Sequence, residues 1–152
     1  MTKLTKSELI DIINEKALIH KGLINAPDAT YSLYSLNYIT GKGYNKFKNW
    51  LFKRGILGWR YTFDCDNYAE AFRVFLQIVH TKAQKGKADN YRKQAVAIGV
   101  IWYEKDGWGG HAINLIVTKE GENLVVKFVE PQNGKVMELT QTELESIFFV
   151  LI

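Results

Sequence analysis

The chain has 152 residues, of which 47% are hydrophobic and 24% are charged, and its formal net charge is +4. These fractions exclude wholesale disorder and allow one domain with a hydrophobic core. No apolar run approaches the roughly 18–20 residues that span a bilayer, and the N-terminal residues lack the apolar core of a signal peptide. We therefore expect a cytoplasmic protein without a membrane span. The single cysteine excludes an intramolecular disulfide and any zinc site that needs two thiolates.

The first sixty residues are predicted to form a helical N-terminal part. Thr5 and Glu8 have the spacing of a capping box, in which each side chain accepts a hydrogen bond from the other residue's backbone N–H. The segment over residues 25–45 is rich in turn-forming residues and is predicted to be loop and turn, with at most a short helix. After the capping box, apolar residues recur at helical spacing and predict a helix to about residue 19: Leu9, Ile10, Ile13 and Ala17.

The segment Gly41–Gly55 is strongly basic and contains no acid. A helix over about 44–53 would bury one apolar face and leave the basic side chains in water. Basic residues interleaved with aromatic ones are also typical of surfaces that bind nucleic acid or another anionic polymer. Both interpretations stay open at this point. The basic residues are Lys42, Lys46, Lys48, Lys53 and Arg54, and the apolar face is Phe47, Trp50 and Leu51.

The stretch FDCDNYAEAF holds the only cysteine, at the start of a second predicted helix. Asp64 is a good N-cap, which places Cys65 in the first turn, where unpaired N–H groups and the helix dipole favour a thiolate. The helix is predicted to run to about Lys82, and residues 82–93 are predicted to be an exposed connection because they are polar and interrupted by glycine. An apolar stripe directs the sulfur toward whatever packs on this helix: Cys65, Ala69, Phe72, Leu76 and Val79.

The second half of the chain has the pattern of β-strands. Short glycine-containing turns, one of them EGEN, separate four β-rich runs: AVAIGVIWYE, HAINLIVTK, LVVKFVEP and KVMELT. Short turns predict an antiparallel meander of about four strands, and the tail QTELESIFFVLI is predicted to be a short helix or an apolar strand. Helices followed by a sheet predict an α+β fold, with one domain over 1–152, a helical part at 1–60 and a core at 61–152.

Three residues in this arrangement predict a catalytic site. His111 starts a strand beside a glycine turn, and Glu130 ends the next strand. Equal arms about a turn near Gly121 place His111 opposite about residue 131, within one residue of Glu130. An imidazole can take the proton of the Cys65 thiol, and a carboxylate can orient that imidazole. Taken singly, the three residues are also interpretable as a packed core cysteine, an ordinary strand histidine and a turn carboxylate.

The motifs FDCDNYA, GHAINL and FVEPQ, in this order, resemble the papain-like and transglutaminase-like cysteine peptidases. The closest resemblance is to the C-terminal peptidase domain of a fungal agglutinin and its bacterial and phage relatives, over about Phe63 to Gln132. The resemblance implies a papain-like fold, in which the cysteine-bearing helix packs on the sheet. It also implies that Cys65 is the nucleophile, His111 the base and Glu130 the orienting acid.

The resemblance further implies a calcium ion near the site, with Asp66 and Gln132 as ligands, and no other cofactor. The second acid of the family motif is Asn67 here, so one oxygen ligand loses its charge. Papain-like enzymes also place a glutamine upstream of the cysteine in the oxyanion hole, and no glutamine precedes Cys65 in this chain.

These observations predict an enzyme that transfers an acyl group through a thioester on Cys65. Hydrolysis of the thioester would make it a cysteine peptidase or amidase with a protein or peptide substrate, and transfer to an amine would make it a transglutaminase. The missing glutamine and the basic segment Gly41–Gly55 support an alternative. In that alternative the chain is a catalytically inactive papain-like module that contacts an anionic polymer or nucleic acid.

Overall fold

A computed structural model describes residues 2–87 and 94–152 of the chain, which has the predicted α+β fold. The α-helices are α1 (Lys6–Ala17), α2 (Tyr44–Phe52), α3 (Cys65–Ala83) and α4 (Gln141–Glu145). A 3-10 helix covers Lys21–Leu23, and a π-helix at Tyr38–Gly43 leads into α2. The strands are β1 (Lys3–Thr5), β2 (Ile24–Asn25), β3 (Thr30–Ser32), β4 (Gln94–Val96), β5 (Ile98–Lys105), β6 (Gly109–Glu120), β7 (Asn123–Glu130), β8 (Lys135–Met137) and β9 (Phe149–Leu151).

The larger of two sheets has the strand order β2-β9-β5-β6-β7-β8, and the smaller has the order β1-β3-β4. Strands β5 to β8 form the predicted antiparallel meander. Glu120 pairs with Asn123 across the β6–β7 turn, and Gly121 within that turn has a φ of 61°, which glycine adopts without steric penalty. Strand β9 adds antiparallel to β5, and β2 adds parallel to β9. The larger sheet therefore extends the predicted meander by two strands.

The larger sheet buries apolar side chains on both of its faces. Successive residues of β6 point to opposite faces, so Ile113 and Leu115 lie in one cluster and Ile116 lies in the other. Residues of α1 complete the first cluster, and residues of α2 and α3 complete the second. Helix α3 thus packs on the sheet through its predicted apolar stripe, in which Ala69, Phe72 and Leu76 are buried.

The predicted helix starts agree with the structure. The Thr5 N–H donates to Glu8 Oε2 at 2.7 Å, and the Glu8 N–H donates to Thr5 Oγ1 at 3.3 Å. Helix α1 ends at Ala17, two residues earlier than predicted, because Leu18 adopts the left-handed conformation with φ 56°. Helix α3 begins at Cys65 as predicted.

The N-terminal part is less helical than predicted. Strands β1, β2 and β3 lie within residues 1–60, and each has only two or three residues, too few for alternation to predict a strand. The predicted connection over 82–93 begins after α3 ends at Ala83, and its residues 88–93 lie outside the described residues. Within residues 2–87 and 94–152, no helix has both the length and the apolar character that crossing a bilayer requires.

Candidate functional site

His111 and Glu130 form a hydrogen-bonded pair at one end of the larger sheet. His111 lies on β6 and Glu130 is the last residue of β7, and His111 Nε2 is 2.8 Å from Glu130 Oε2. Their side chains remain only 13% and 9% exposed. The hairpin brings the two residues together, as equal arms about the β6–β7 turn predict. In the observed register Glu120 pairs with Asn123, so the residue opposite His111 differs by one position from the predicted residue.

Cys65 lies in the first turn of α3, half-buried and with a free thiol. It packs against the small residues Ala69 and Ala112 and against Val100. Because Ala112 faces α3, strand alternation directs the neighbouring His111 toward Tyr103, whose ring centroid is 5.8 Å from that of the imidazole. No hydrogen bond joins Cys65 to His111 in the part of the chain that the structure describes. The roles assigned to Cys65, His111 and Glu130 stay a prediction.

Tyr103 is a buried polar residue beside this pair. Its side chain is fully buried, and its hydroxyl has no hydrogen-bond partner among the described residues. Burial, with a further contribution from the charges of Glu143 and Glu130, raises the pKa of Tyr103 far above its ordinary value, so the phenol stays protonated. The position of Tyr103 directly opposite His111 in the β5–β6 register is the signal that identifies it.

The two aspartates that flank Cys65 interact with each other. A hydrogen bond shared with the Asp66 carboxyl raises the pKa of Asp64, and burial and the charge of Asp66 add to this effect. Asp66 Oδ1 also accepts a hydrogen bond from the Asn67 N–H at 2.8 Å, and Asn67 Oδ1 accepts one from the Asp64 N–H at 3.2 Å. The side chain of Asn67 therefore stabilises the start of α3.

These residues match a calcium site only in part. Carboxylate oxygens are good calcium ligands, and one oxygen of Asp64 is buried without a hydrogen-bond partner among the described residues. However, Asn67 already uses its side-chain oxygen to cap α3, and residues 2–87 and 94–152 contain no group of three or more His, Cys, Asp or Glu that could hold a metal ion. The assignment of Asp66 and Gln132 to calcium stays a prediction.

An open groove of about 220 Å³ lies beside α2. Phe52 and Leu57 are each 69% exposed and Trp59 is 50% exposed, and the ring centroids of Trp59 and Tyr61 are 5.1 Å apart. Large apolar side chains that remain exposed around one concavity indicate a binding site. The residues that line this groove include Tyr44, Lys48, Phe52, Leu57, Trp59 and Gln132.

The basic residues of Gly41–Gly55 are all exposed, and none forms an ion pair with another described residue. Lys48 lines the groove, with its Nζ 6.0 Å from the centroid of the Tyr44 ring. Phe47 is fully buried and Leu51 is 4% exposed, as the amphipathic-helix interpretation predicts. Helix α2 therefore packs through one face and presents cations without ion-pair partners on the other, so both interpretations of the basic segment remain compatible with the structure.

A family model described as Agglutinin C-terminal matches residues 41–136, which is more than half of the chain. The chain belongs to the Agglutinin C-terminal family. No curated protein matches it. The matched range includes the groove-lining residues of α2, the residues Cys65, His111 and Glu130, and the β7–β8 turn.

Two solved structures share the fold of this member of the Agglutinin C-terminal family at low sequence identity. One is a PSL1a–E64 complex, with a TM-score of 0.72 and 22% identity, and the match covers 99% of this chain and 51% of that one. The other is the Polyporus squamosus lectin bound to the human-type influenza-binding epitope Neu5Acα2-6Galβ1-4GlcNAc, with a TM-score of 0.67 and 22% identity over 99% of this chain and 49% of that one. The chain thus spans about half the length of these two proteins.

The prediction of a cysteine peptidase is wrong. The family is named for agglutinins, and one of the two similar structures is titled as a lectin bound to a glycan epitope. The predictions of an amidase, of a transglutaminase and of a peptide substrate are corrected with it.

Proposed function

We propose that this chain is a carbohydrate-binding module that holds an anionic sugar in the groove beside α2. The proposal develops the binding-module alternative and names carbohydrate as the anionic partner. The observation that carries it is the combination, around one concavity, of exposed aromatic rings and one cation, Lys48, that has no ion-pair partner among the described residues. Membership of the Agglutinin C-terminal family supports carbohydrate as the class of partner.

The aromatic side chains supply the apolar part of the recognition. A pyranose ring has a face of C–H groups that packs on a flat aromatic ring, while its hydroxyl groups point outward. Trp59 is half-exposed on the groove, and Phe52 is 69% exposed on the same wall. Water in contact with these surfaces is released when a sugar covers them, which favours binding.

The cations supply the preference for an acidic sugar. Lys48 lines the groove, and Lys46 is exposed on the same helix. A charge-assisted hydrogen bond to a carboxylate is about twice as strong as a neutral one. Lys48 has no ion-pair partner among the described residues, so binding a carboxylate breaks no ion pair there. The Polyporus squamosus lectin is titled as bound to a sugar that contains Neu5Ac, which carries a carboxylate, and this supports the choice of ligand.

Two predictions about the fold accompany this proposal. The papain-like form of the α+β fold is supported by the packing of the cysteine-bearing helix α3 on an antiparallel sheet. The extent of the domain, residues 1–152, is supported by the fold likeness over 99% of the chain. Neither feature assigns a reaction to the chain.

The test is a titration with the trisaccharide Neu5Acα2-6Galβ1-4GlcNAc, followed by isothermal calorimetry, against the neutral disaccharide Galβ1-4GlcNAc. We expect the acidic sugar to bind more tightly and its affinity to fall as salt is added. Trp59→Ala should weaken binding by about tenfold or more, the scale at which truncating a central aromatic anchor acts. Lys48→Gln should weaken it by a few-fold and reduce the salt dependence.

The chain offers a matched control for each variant. Trp108 is 84% exposed on the β5–β6 turn, away from the groove, and Lys82 is exposed on α3. Trp108→Ala and Lys82→Gln should leave the affinity unchanged. Equal losses in target and control variants would refute the groove as the site. Tight binding of single-stranded DNA, with no binding of either sugar, would show that nucleic acid is the partner and would also refute the proposal.

A further inference from the structure

We infer that the loop after α2 docks this protein on the surface of a membrane that contains anionic phospholipid. The loop covers residues 53–63, is called the 53–63 loop, and connects α2 to α3. The inference goes beyond the proposed carbohydrate-binding function, because the contact with lipid requires no sugar. Three features of the loop support it: a fixed backbone, exposed apolar side chains, and basic side chains without acidic neighbours in the loop.

Both ends of the loop are held against the rest of the protein. The Ile56 N–H donates to the Leu51 carbonyl at 3.1 Å, and the Ile56 side chain packs against the cluster formed by α2, α3 and the larger sheet. At the other end, the Arg60 N–H donates to the Phe63 carbonyl at 3.1 Å, and the Phe63 N–H donates to the Arg60 carbonyl at 2.9 Å. Phe63 also packs edge-on against the Tyr68 ring. The residues between Ile56 and Phe63 are therefore presented on an anchored backbone.

The middle of the loop is exposed although it contains large apolar surfaces. All six residues over 57–62 are exposed. Tyr61, within the turn that ends the loop, is 92% exposed, Leu57 is 69% exposed, and Trp59 contacts the Tyr61 ring edge-on. Leu57 and Trp59 also line the sugar groove, whereas Tyr61 is not one of its lining residues. Tryptophan and tyrosine favour the membrane–water interface because each combines an apolar ring with a polar group.

The charge of the loop is complementary to a layer of anionic headgroups. Residues 41–63 contain no Asp or Glu, and the 53–63 loop itself carries three basic residues. Lys53 and Arg60 are exposed, and neither forms an ion pair with another described residue. The next acids along the chain, Asp64 and Asp66, are only partly exposed, and their carboxyl groups share a hydrogen bond at the start of α3. An anionic surface that approaches the loop therefore meets cations first.

The combination of these features favours lipid as the partner. Binding at a membrane interface increases with the apolar area that enters the interface and with the attraction between basic residues and anionic lipids. Leu57 and Tyr61 supply the apolar area, and Lys53 and Arg60 supply the charge on the same short loop. Each basic residue close to an anionic membrane strengthens binding by about fivefold. Because the backbone is already anchored, little conformational entropy is lost when the loop docks.

The experiment measures co-sedimentation of the protein with vesicles that contain no carbohydrate. Vesicles of equal parts phosphatidylserine and phosphatidylcholine are compared with vesicles of phosphatidylcholine alone. We expect binding to the anionic vesicles, and we expect it to weaken as salt is added. Leu57→Ser and Tyr61→Ser should each weaken binding by about three- to tenfold, through the lost apolar area. Lys53→Gln and Arg60→Gln should each weaken it by about fivefold and reduce the salt dependence.

Exposed side chains elsewhere on the protein supply matched controls. Trp108 is 84% exposed on the β5–β6 turn, Ile78 is 39% exposed on α3, and Lys85 is exposed just after α3. Trp108→Ser, Ile78→Ser and Lys85→Gln should leave vesicle binding nearly unchanged. Substitutions of exposed side chains seldom disturb folding, and a circular dichroism melt of each variant establishes that it is folded.

The possible outcomes separate this inference from the proposed function. Tyr61→Ser should leave the affinity for free Neu5Acα2-6Galβ1-4GlcNAc nearly unchanged, because Tyr61 does not line the groove. A wild type that binds the trisaccharide but not the anionic vesicles would overturn the inference alone. Vesicle binding that depends on Tyr61, without any sugar binding, would support the inference and overturn the proposed function. Equal binding to both kinds of vesicle, or equal losses in loop and control variants, would also overturn the inference.

Discussion

The His111–Glu130 end of the sheet and the groove beside α2 differ in where their polar groups find partners. At the sheet end, two nearly buried side chains are hydrogen-bonded to each other. Beside α2, Lys48 has no ion-pair partner among the described residues, and Trp59 remains half-exposed. His111 and Glu130 are hydrogen-bonded to each other, whereas helix α2 leaves exposed charges without ion-pair partners among the described residues. Whether a polar or charged side chain has a partner within the protein is therefore a better guide to a binding surface than its residue type.

The largest expected effect comes from removing the buried support of the groove. Phe47 is fully buried on α2, and its ring centroid is 4.8 Å from that of Phe72. Phe47→Ala should lower the free energy of unfolding by about 3–5 kcal/mol, through lost burial and the cavity left behind. Urea denaturation followed by circular dichroism measures this loss.

Phe52→Ala is the matched control on the same helix. Phe52 is 69% exposed, so its removal should change the unfolding free energy by no more than about 0.5 kcal/mol, while sugar affinity falls. If Phe52→Ala destabilised the protein as much as Phe47→Ala, the division of α2 into a packed face and a binding face would be wrong.

An intermediate effect is expected at the turn that joins the two regions. Gly134 and Gly121 both have positive φ, 75° and 61°, but only Gly134 packs on a ring. Gly121→Ala should cost about 1–2 kcal/mol, the penalty for a left-handed residue with a Cβ atom. Gly134→Ala should cost a further 1–3 kcal/mol or so, because the new methyl group overlaps Tyr44. Equal losses in the two thermal or urea midpoints would mean that the turn does not press on α2.

The meander was predictable because its strands are long and their turns are short. Strand β6 has twelve residues, and glycine lies in the turn before it and in the turn after it. The strands β1 and β3 have three residues each and exist through pairing with distant segments, such as Lys3 with Ser32. No local pattern reports such pairing. The two helix starts at Thr5 and Asp64 were predictable because capping is local.

The candidate site was predictable only where a single hairpin creates it. The β6–β7 turn brings His111 to Glu130 within one chain reversal, so counting residues along the strands was sufficient. The groove combines α2, the segment after it, α3 and the β7–β8 turn, and its members Lys48, Trp59 and Gln132 meet only after tertiary packing. The basic segment was visible in the sequence, but its lack of ion-pair partners among the described residues required the structure.

The smallest expected effect concerns Asp64 and Asp66, the acids on either side of Cys65. The hydrogen bond to Asp66, then burial and the Asp66 charge, raise the pKa of Asp64 in the folded protein. The folded state therefore binds a proton at a higher pH than the unfolded state does. Stability contributed by this group rises as pH falls through the raised folded pKa, and it levels off below the ordinary value of about 3.9.

Asp66→Asn removes the neighbouring charge and keeps an oxygen that can accept the Asn67 N–H. Between pH 7 and pH 4, the difference in melting temperature between this variant and the wild type should shrink, because the wild type gains stability on acidification that the variant lacks. Glu122→Gln, at a side chain that is 98% exposed on the β6–β7 turn, should show a constant difference over the same range. Parallel pH profiles for Asp66→Asn and the wild type would mean that the two carboxyls do not interact.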